Sequence, residues 1–326
     1  MRYAQFIVLA VLLVACGGKK KRLTRVDLPL HENWVFSSAS DSSFHQAKVP
    51  GQVHLDLLNN QLIEEPYKVD NELKLRWIEE ENWIYKCTFD VSRKQYRNEN
   101  IELHFEGLDT YAEVYLNGTK ILSADNMFRR WEVDVKDQIK RGENELRIVF
   151  QSPIKRNKAK VESYPYLLPS GNETADIETK VSSFTRKAAF HFGWDWGPRF
   201  VTAGIWRPVK LVTWNKVRIK NIRTSTLSLN REVAKMQTLI DLDVSETGTY
   251  EVLLKQKTSI LDLVKGSHQI VHNFDIRKPK MWWPNGHGNA NLHEQRVRVR
   301  LDKKVLDDAT DTYGIRTVEL INEADS

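Results

Sequence analysis

The sequence predicts an all-β protein of two antiparallel sandwiches in series, a jelly roll over residues 27–214 and an immunoglobulin-like sandwich over 215–316. Three observations predict it. Short segments in which apolar and polar residues alternate, bounded by turn residues, fill the chain from Leu28 onward, and that period of two marks half-buried strands. Asn117-Gly118 separates two such runs, and an Asn-Gly pair there is the strongest short-range hairpin signal. Nowhere do strand-like and helix-like stretches alternate as a parallel α/β fold requires. The 326 residues suffice for two cores, since a domain typically takes roughly 100–200 residues.

Ahead of the first sandwich stands a targeting segment. Met1-Arg2 gives a positive start, and Phe6 to Ala15 is an unbroken apolar run. That run is too short to span a bilayer, which takes about 20 residues, but it suits a signal-peptide core. It ends in Leu13-Val14-Ala15-Cys16 before Gly17-Gly18, which resembles the bacterial lipobox. The expectation is a lipoprotein signal over residues 1–16, lipid on Cys16, and a tether over 17–26. The protein would then be a cell-envelope lipoprotein of a Gram-negative bacterium, at the outer membrane or facing the periplasm, held to the membrane by its lipid anchor.

Within residues 27–214, Trp83, Tyr85, Cys87 and Phe89 fall on one strand face, so Cys87 reads as a small buried hydrophobe. Further strands are expected at Ile101–Phe105, Ala112–Leu116, Thr119–Leu122, Trp131–Val135, Glu145–Phe150 and Val209–Val212. One short helix is expected from Val53 to Leu62, where Val53, Leu57, Leu58 and Leu62 share a stripe. Residues 151–185 are polar, carry Pro153, Pro165 and Pro169, and lack alternation; a loop of that length inside a domain is usually functional. The second sandwich should use Gln237–Val244, Gly248–Leu254, His268–Phe274 and His293–Leu301. Regular short strands of this kind suit an immunoglobulin-like domain.

Charge narrows the partners. Four of the cations behind a net charge of +6 sit together at Lys19-Lys20-Lys21-Arg22, and the rest are interspersed with acids. No folded segment carries the basic face that nucleic-acid binding needs. The clusters Glu64-Glu65 and Glu79-Glu80-Glu81 read as solvated surface. Ten Trp, ten Tyr and twelve Phe suit packed sheets, and also surfaces that stack on sugars.

Several motifs together carry a family resemblance. They are Val49-Pro50-Gly51-Gln52-Val53-His54-Leu55-Asp56, Gly107-Leu108-Asp109-Thr110-Tyr111-Ala112, Ala124-Asp125-Asn126-Met127-Phe128-Arg129, Phe190-His191-Phe192-Gly193-Trp194-Asp195-Trp196-Gly197-Pro198-Arg199, Gly204-Ile205-Trp206-Arg207-Pro208-Val209, Trp282-Trp283-Pro284-Asn285-Gly286 and Gly314-Ile315-Arg316. In this order they resemble glycoside hydrolase family 2, and within it the β-mannosidases. The resemblance implies a galactose-binding-like jelly roll, an immunoglobulin-like domain, and then a (β/α)8 barrel that carries both catalytic glutamates. Residues 317–326 would begin the linker to that barrel, so no catalytic residue is expected in this chain. The whole enzyme would release terminal non-reducing β-D-mannose from an oligosaccharide or glycan with retention, without cofactor or metal.

The same resemblance gives the substrate-binding role to Asp195, flanked by Trp194 and Trp196. A carboxylate accepts bonds from adjacent hydroxyls, and such a site rejects the wrong stereochemistry. The residues alone leave another reading open, with both indoles in the core and Asp195 satisfying a buried turn. Arg186 and His191 are expected to brace this loop, Asp109 and Asn126 to accept backbone donors at turns, and Trp282-Trp283-Pro284 to plug the space between domains. Two alternatives to a β-mannosidase are another family 2 activity, β-galactosidase or β-glucuronidase, and a stand-alone carbohydrate-binding lipoprotein.

Overall fold

The computed structural model describes residues 25–171, 173, 179–255 and 257–323. The apolar leader and Cys16 lie outside the described residues. The first domain uses β1 (Val26–Pro29), β2 (Val35–Ser38), β3 (His45–Gln46), β4 (Trp83–Val91), β5 (Asn100–Phe105), β6 (Tyr111–Leu116), β7 (Thr119–Ala124), β8 (Trp131–Asp134), β9 (Gly142–Gln151) and β10 (Val209–Trp214). They pair antiparallel into a six-stranded sheet, β3-β2-β4-β9-β6-β7, and a four-stranded sheet, β1-β10-β5-β8.

Alternation decides which side chains fill the space between these sheets. Trp83, Tyr85 and Cys87 of β4 turn inward, where Tyr85 meets Phe36 of β2 at 5.7 Å and Phe150 of β9 at 5.6 Å between ring centroids. Leu103 and Phe105 of β5 close the core from the other sheet. Burial pushes the Cys87 thiol up to about 12, as befits a packed hydrophobe. At the hairpin, Leu116 pairs with Thr119. Asn117 and Gly118 both take positive φ, 51° and 84°, the type I′ geometry that matches strand twist.

The second domain is built from β11 (Val217–Leu229), β12 (Val233–Val244), β13 (Gly248–Leu253), β14 (Thr258–Leu263), β15 (Gly266–Arg277), β16 (Leu292–Leu301) and β17 (Lys304–Gly314). A three-stranded sheet, β11-β12-β15, faces a four-stranded one, β14-β13-β16-β17. On β12 every second residue from Ala234 to Val244 is buried; Ile240, Leu242 and Val244 share a core with Tyr250, Val252, Val297 and Val299, while Ala234 and Met236 pack with Tyr313 and Ile315. The protein is therefore all-β, a jelly roll followed by an immunoglobulin-like sandwich. Arg218 at the start of β11 joins the two. Its guanidinium donates to Glu102 at 2.6 Å in the first domain and to Asp243 at 2.8 Å in the second.

Several expectations change in detail. The helix α1 is Val53–Asn59 and stops short of Leu62. Gln61 takes φ 59°, and the Leu62 N–H donates back to the Leu57 carbonyl at 2.9 Å, the cap that ends a helix. Three single-turn helices also form: α2 (Asn71–Lys74), α3 (Trp77–Glu80) and α4 (Arg93–Tyr96). The stretch read as a loop opens with α5 (Pro153–Glu162). Ser152 caps it by accepting from the Lys155 N–H at 3.2 Å, and Pro153 suits a first turn. Only Pro153, Ile154 and Asn157 of α5 are buried, too thin a stripe to show as a period. Trp282 and Trp283 make their contacts within the second domain. The Trp282 N–H donates to the Ile315 carbonyl at 3.0 Å, and Arg316 lies over both rings.

Candidate functional site

The loop that holds the predicted binding residues rises from the first domain between Phe192 and Arg199. A 3-10 turn over Ala189–Phe192 leads into it, and Gly193 follows with φ 109°, a conformation that favours glycine. Trp194 and Gly197 then exchange both backbone hydrogen bonds at 3.3 Å. That closes a four-residue turn with Asp195 and Trp196 at its tip. The two indoles meet edge to face at 5.4 Å. Trp196 is 82% exposed and Trp194 38%, and Asp195 is exposed between them. The reading of both indoles as core rings does not survive these exposures.

Beside the loop opens a cavity of about 830 Å³ whose wall includes Trp194, Trp196, Phe190, Tyr67, His54 and Asp109. Asp195 is not part of that wall; it is exposed between two indoles that are. The wall is mainly apolar, rich in aromatic rings and with few polar groups, the usual make-up of a ligand site.

The floor is a buried polar cluster. Lys187, on the way into the loop, donates to both carboxylate oxygens of Asp109. It also donates to the carbonyl and hydroxyl of Thr202 at 3.0 and 2.9 Å. Asp109 further accepts from Thr202 Oγ1 at 2.6 Å and Thr110 Oγ1 at 2.5 Å. Its partners are thus side chains, contrary to the expected backbone donors, because Lys187 must be neutralised where water cannot reach. Asn126 does accept a backbone donor, the Phe128 N–H at 2.9 Å. His54 and His191 border the same cluster. Burial first and the Lys187 charge second lower each of them to about 4, so both imidazoles are neutral at ordinary pH. His191 Nδ1 lies 3.3 Å from Thr202 Oγ1, which ties the 3-10 turn to the floor. The Arg186 side chain is exposed, and only its backbone bridges Asn126.

The far end of the loop is held by Arg199, a residue that sequence reasoning passed over inside the Trp194-Asp195-Trp196-Gly197-Pro198-Arg199 motif. Its fully buried guanidinium pairs with Glu79 at 2.9 Å and Glu173 at 3.3 Å. Glu79 is accordingly not the solvated surface that its run of acids suggests. The one trio of possible metal ligands among the described residues is Glu102, His104 and Glu132. It lies at the domain junction, where Arg218 already bonds Glu102 and Glu132, so the cation there is the protein's own.

The chain matches two family descriptions. Residues 34–207 match the glycosyl hydrolase 2 galactose-binding domain-like family, and residues 216–316 match glycosyl hydrolases family 2. The chain belongs to glycosyl hydrolase family 2. Among family 2 relatives, a β-mannosidase B of Neosartorya fischeri is 32% identical over 310 residues, 91% of this chain and 36% of that protein. The chain therefore spans about a third of the length of the curated relatives it matches. The crystal structure of a β-D-mannosidase from Dictyoglomus thermophilum is 38% identical and superposes with a TM-score of 0.86, over 92% of this chain and 37% of that one. An exo-chitosanase of Amycolatopsis orientalis superposes at 0.70 with 18% identity, over 90% of this chain and 34% of that one. At that identity the likeness is one of fold.

Proposed function

We propose that this chain is the substrate-contacting front of a family 2 exo-β-mannosidase that removes terminal β-D-mannose with retention. The turn closed by Trp194 and Gly197 carries the reading, because it presents an exposed carboxylate between two indoles that both line the neighbouring apolar cavity. Asp195 would accept bonds from neighbouring mannose hydroxyls, while Trp194 and Trp196 cover the C–H face and keep water off those bonds. The names of the relatives at 32% and 38% identity support the same sugar. Retention needs two carboxyls about 5–5.5 Å apart across the bond. Among the described residues the cavity wall offers one carboxylate, Asp109, which is bonded to Lys187, so in this reading the glutamates belong to a (β/α)8 barrel outside this chain. Lipid on Cys16 would hold the enzyme at the cell envelope, facing its glycans.

The test is kinetic and uses a protein that carries the barrel as well. Asp195→Ala should lose a charge-assisted bond worth about 1.5–3 kcal/mol, read as a fall in kcat/KM on an aryl β-mannoside. Wild-type kinetics would reduce Asp195 to a structural residue. The anchor is tested separately, by fractionating cells that express the native gene or its Cys16→Ser variant. Equal behaviour of the two would remove the lipid.

A further inference from the structure

Arg199 ties the two feet of the Trp194–Trp196 loop together. Its Nη1 donates to the Phe192 carbonyl at 3.0 Å, and these two residues bracket Gly193 to Pro198. The other bonds of Arg199 run to separate parts of the domain. Its Nε donates to the two oxygens of Glu79 on α3 at 3.1 and 2.9 Å, and its backbone N–H donates to Glu72 on α2 at 2.7 Å. Glu173 accepts from Arg199 Nη1 and also from the Val181 and Ser182 N–H groups at 3.2 and 3.1 Å. The guanidinium additionally lies 5.6 Å from the Phe192 ring centroid. The planar fork thus joins α3 and Glu173 to the Phe192 foot of the loop, while the Arg199 backbone adds α2 and Glu173 adds the Val181–Ser182 segment. Arg199 does not line the cavity, so it acts on the site only through the loop.

We propose that Arg199 is the positioning residue of this loop, oriented by Glu79. It holds the indoles and Asp195 in one arrangement before a sugar arrives. Preformed sites avoid the ordering cost that a loose loop incurs on binding. A lysine could not replace it, since a single ammonium cannot serve both carboxylates and the carbonyl in fixed directions. The consequence for binding rests on the reading of Asp195 as a hydroxyl acceptor; the consequence for the loop does not.

Two measurements on the 326-residue chain separate these consequences. The first is the rate at which chymotrypsin cuts after Trp196, followed by mass, in wild type, Arg199→Lys and Glu79→Gln. The second is calorimetric titration of the same proteins with mannobiose. Circular dichroism confirms that each is folded, and Glu79→Gln serves if Arg199→Lys is not. Cleavage should accelerate, and mannobiose affinity fall, by about tenfold or more in Arg199→Lys, the scale of one charge-assisted bond, and by less in Glu79→Gln. Unchanged cleavage in folded variants overturns the proposal. Faster cleavage in a protein whose wild type binds no mannobiose upholds the positioning role and removes only mannobiose binding by this chain on its own.

Discussion

Lys187 and Asp109 form an ion pair in which neither side chain reaches water, their exposures being 0% and 2%. They join the turn before β6 to the strand of chain that enters the Trp194–Trp196 loop. Such a pair contributes little over a hydrophobic replacement, yet removing one partner strands a buried charge. Lys187→Met should therefore cost about 3–5 kcal/mol of stability, read from urea unfolding. Exchange of both partners, Lys187→Met with Asp109→Leu, should cost clearly less than the sum of the two single changes.

The two histidines of the cavity floor make stability depend on pH. The folded protein protonates His54 and His191 only near 4, against an ordinary value of 6.5. Over that window the unfolded chain binds more protons, so stability is lost as pH falls from 6.5 towards 4. Each imidazole accounts for at most about 1.4 kcal/mol per pH unit. Asp56 acts in the opposite sense, since burial raises it to about 6. The clean measurement is thus a difference: His54→Phe should lose less stability than wild type between pH 7 and pH 5. Parallel curves would mean that His54 does not carry the effect.

Cys87 should be chemically silent. Its thiol is buried and pushed up to about 12, and only the thiolate reacts. In a Cys16→Ser background, Ellman's reagent at pH 8 should leave the folded protein unlabelled and label one thiol after denaturation.

At the domain junction Arg218 bonds Glu102, Glu132 and Asp243. Arg218→Leu leaves three carboxylates around an apolar side chain, which loosens the junction. Trypsin should then cut after Lys216, between the sandwiches, several-fold faster than in wild type while each domain stays folded.

Much of this architecture was legible along the chain, because strands declare themselves locally. The turn at Asn117-Gly118, the inward face of β4 and the alternation of β12 all follow from neighbours two residues apart. The tip of the Trp194–Trp196 loop was legible too, as a carboxylate between two indoles. Its supports were not. Arg199 meets Glu79 across 120 residues and Glu173 across 26, and Lys187 meets Asp109 across 78. Nothing near these residues marks them as paired, and Glu79 in its run of acids looks like surface. Helix α5 escaped for a different reason, having a cap and a proline but scarcely an apolar face.

Arg25 gives the chain an unusual mechanical layout. It precedes β1 of the first sandwich, yet its guanidinium donates to the Ile219 carbonyl at 3.0 Å and to Asp307 at 3.2 Å in the second. A pull applied ahead of Arg25 would be shared by both sandwiches at once. Strand β1, only four residues long and paired on one side to β10, would not have to bear the load alone.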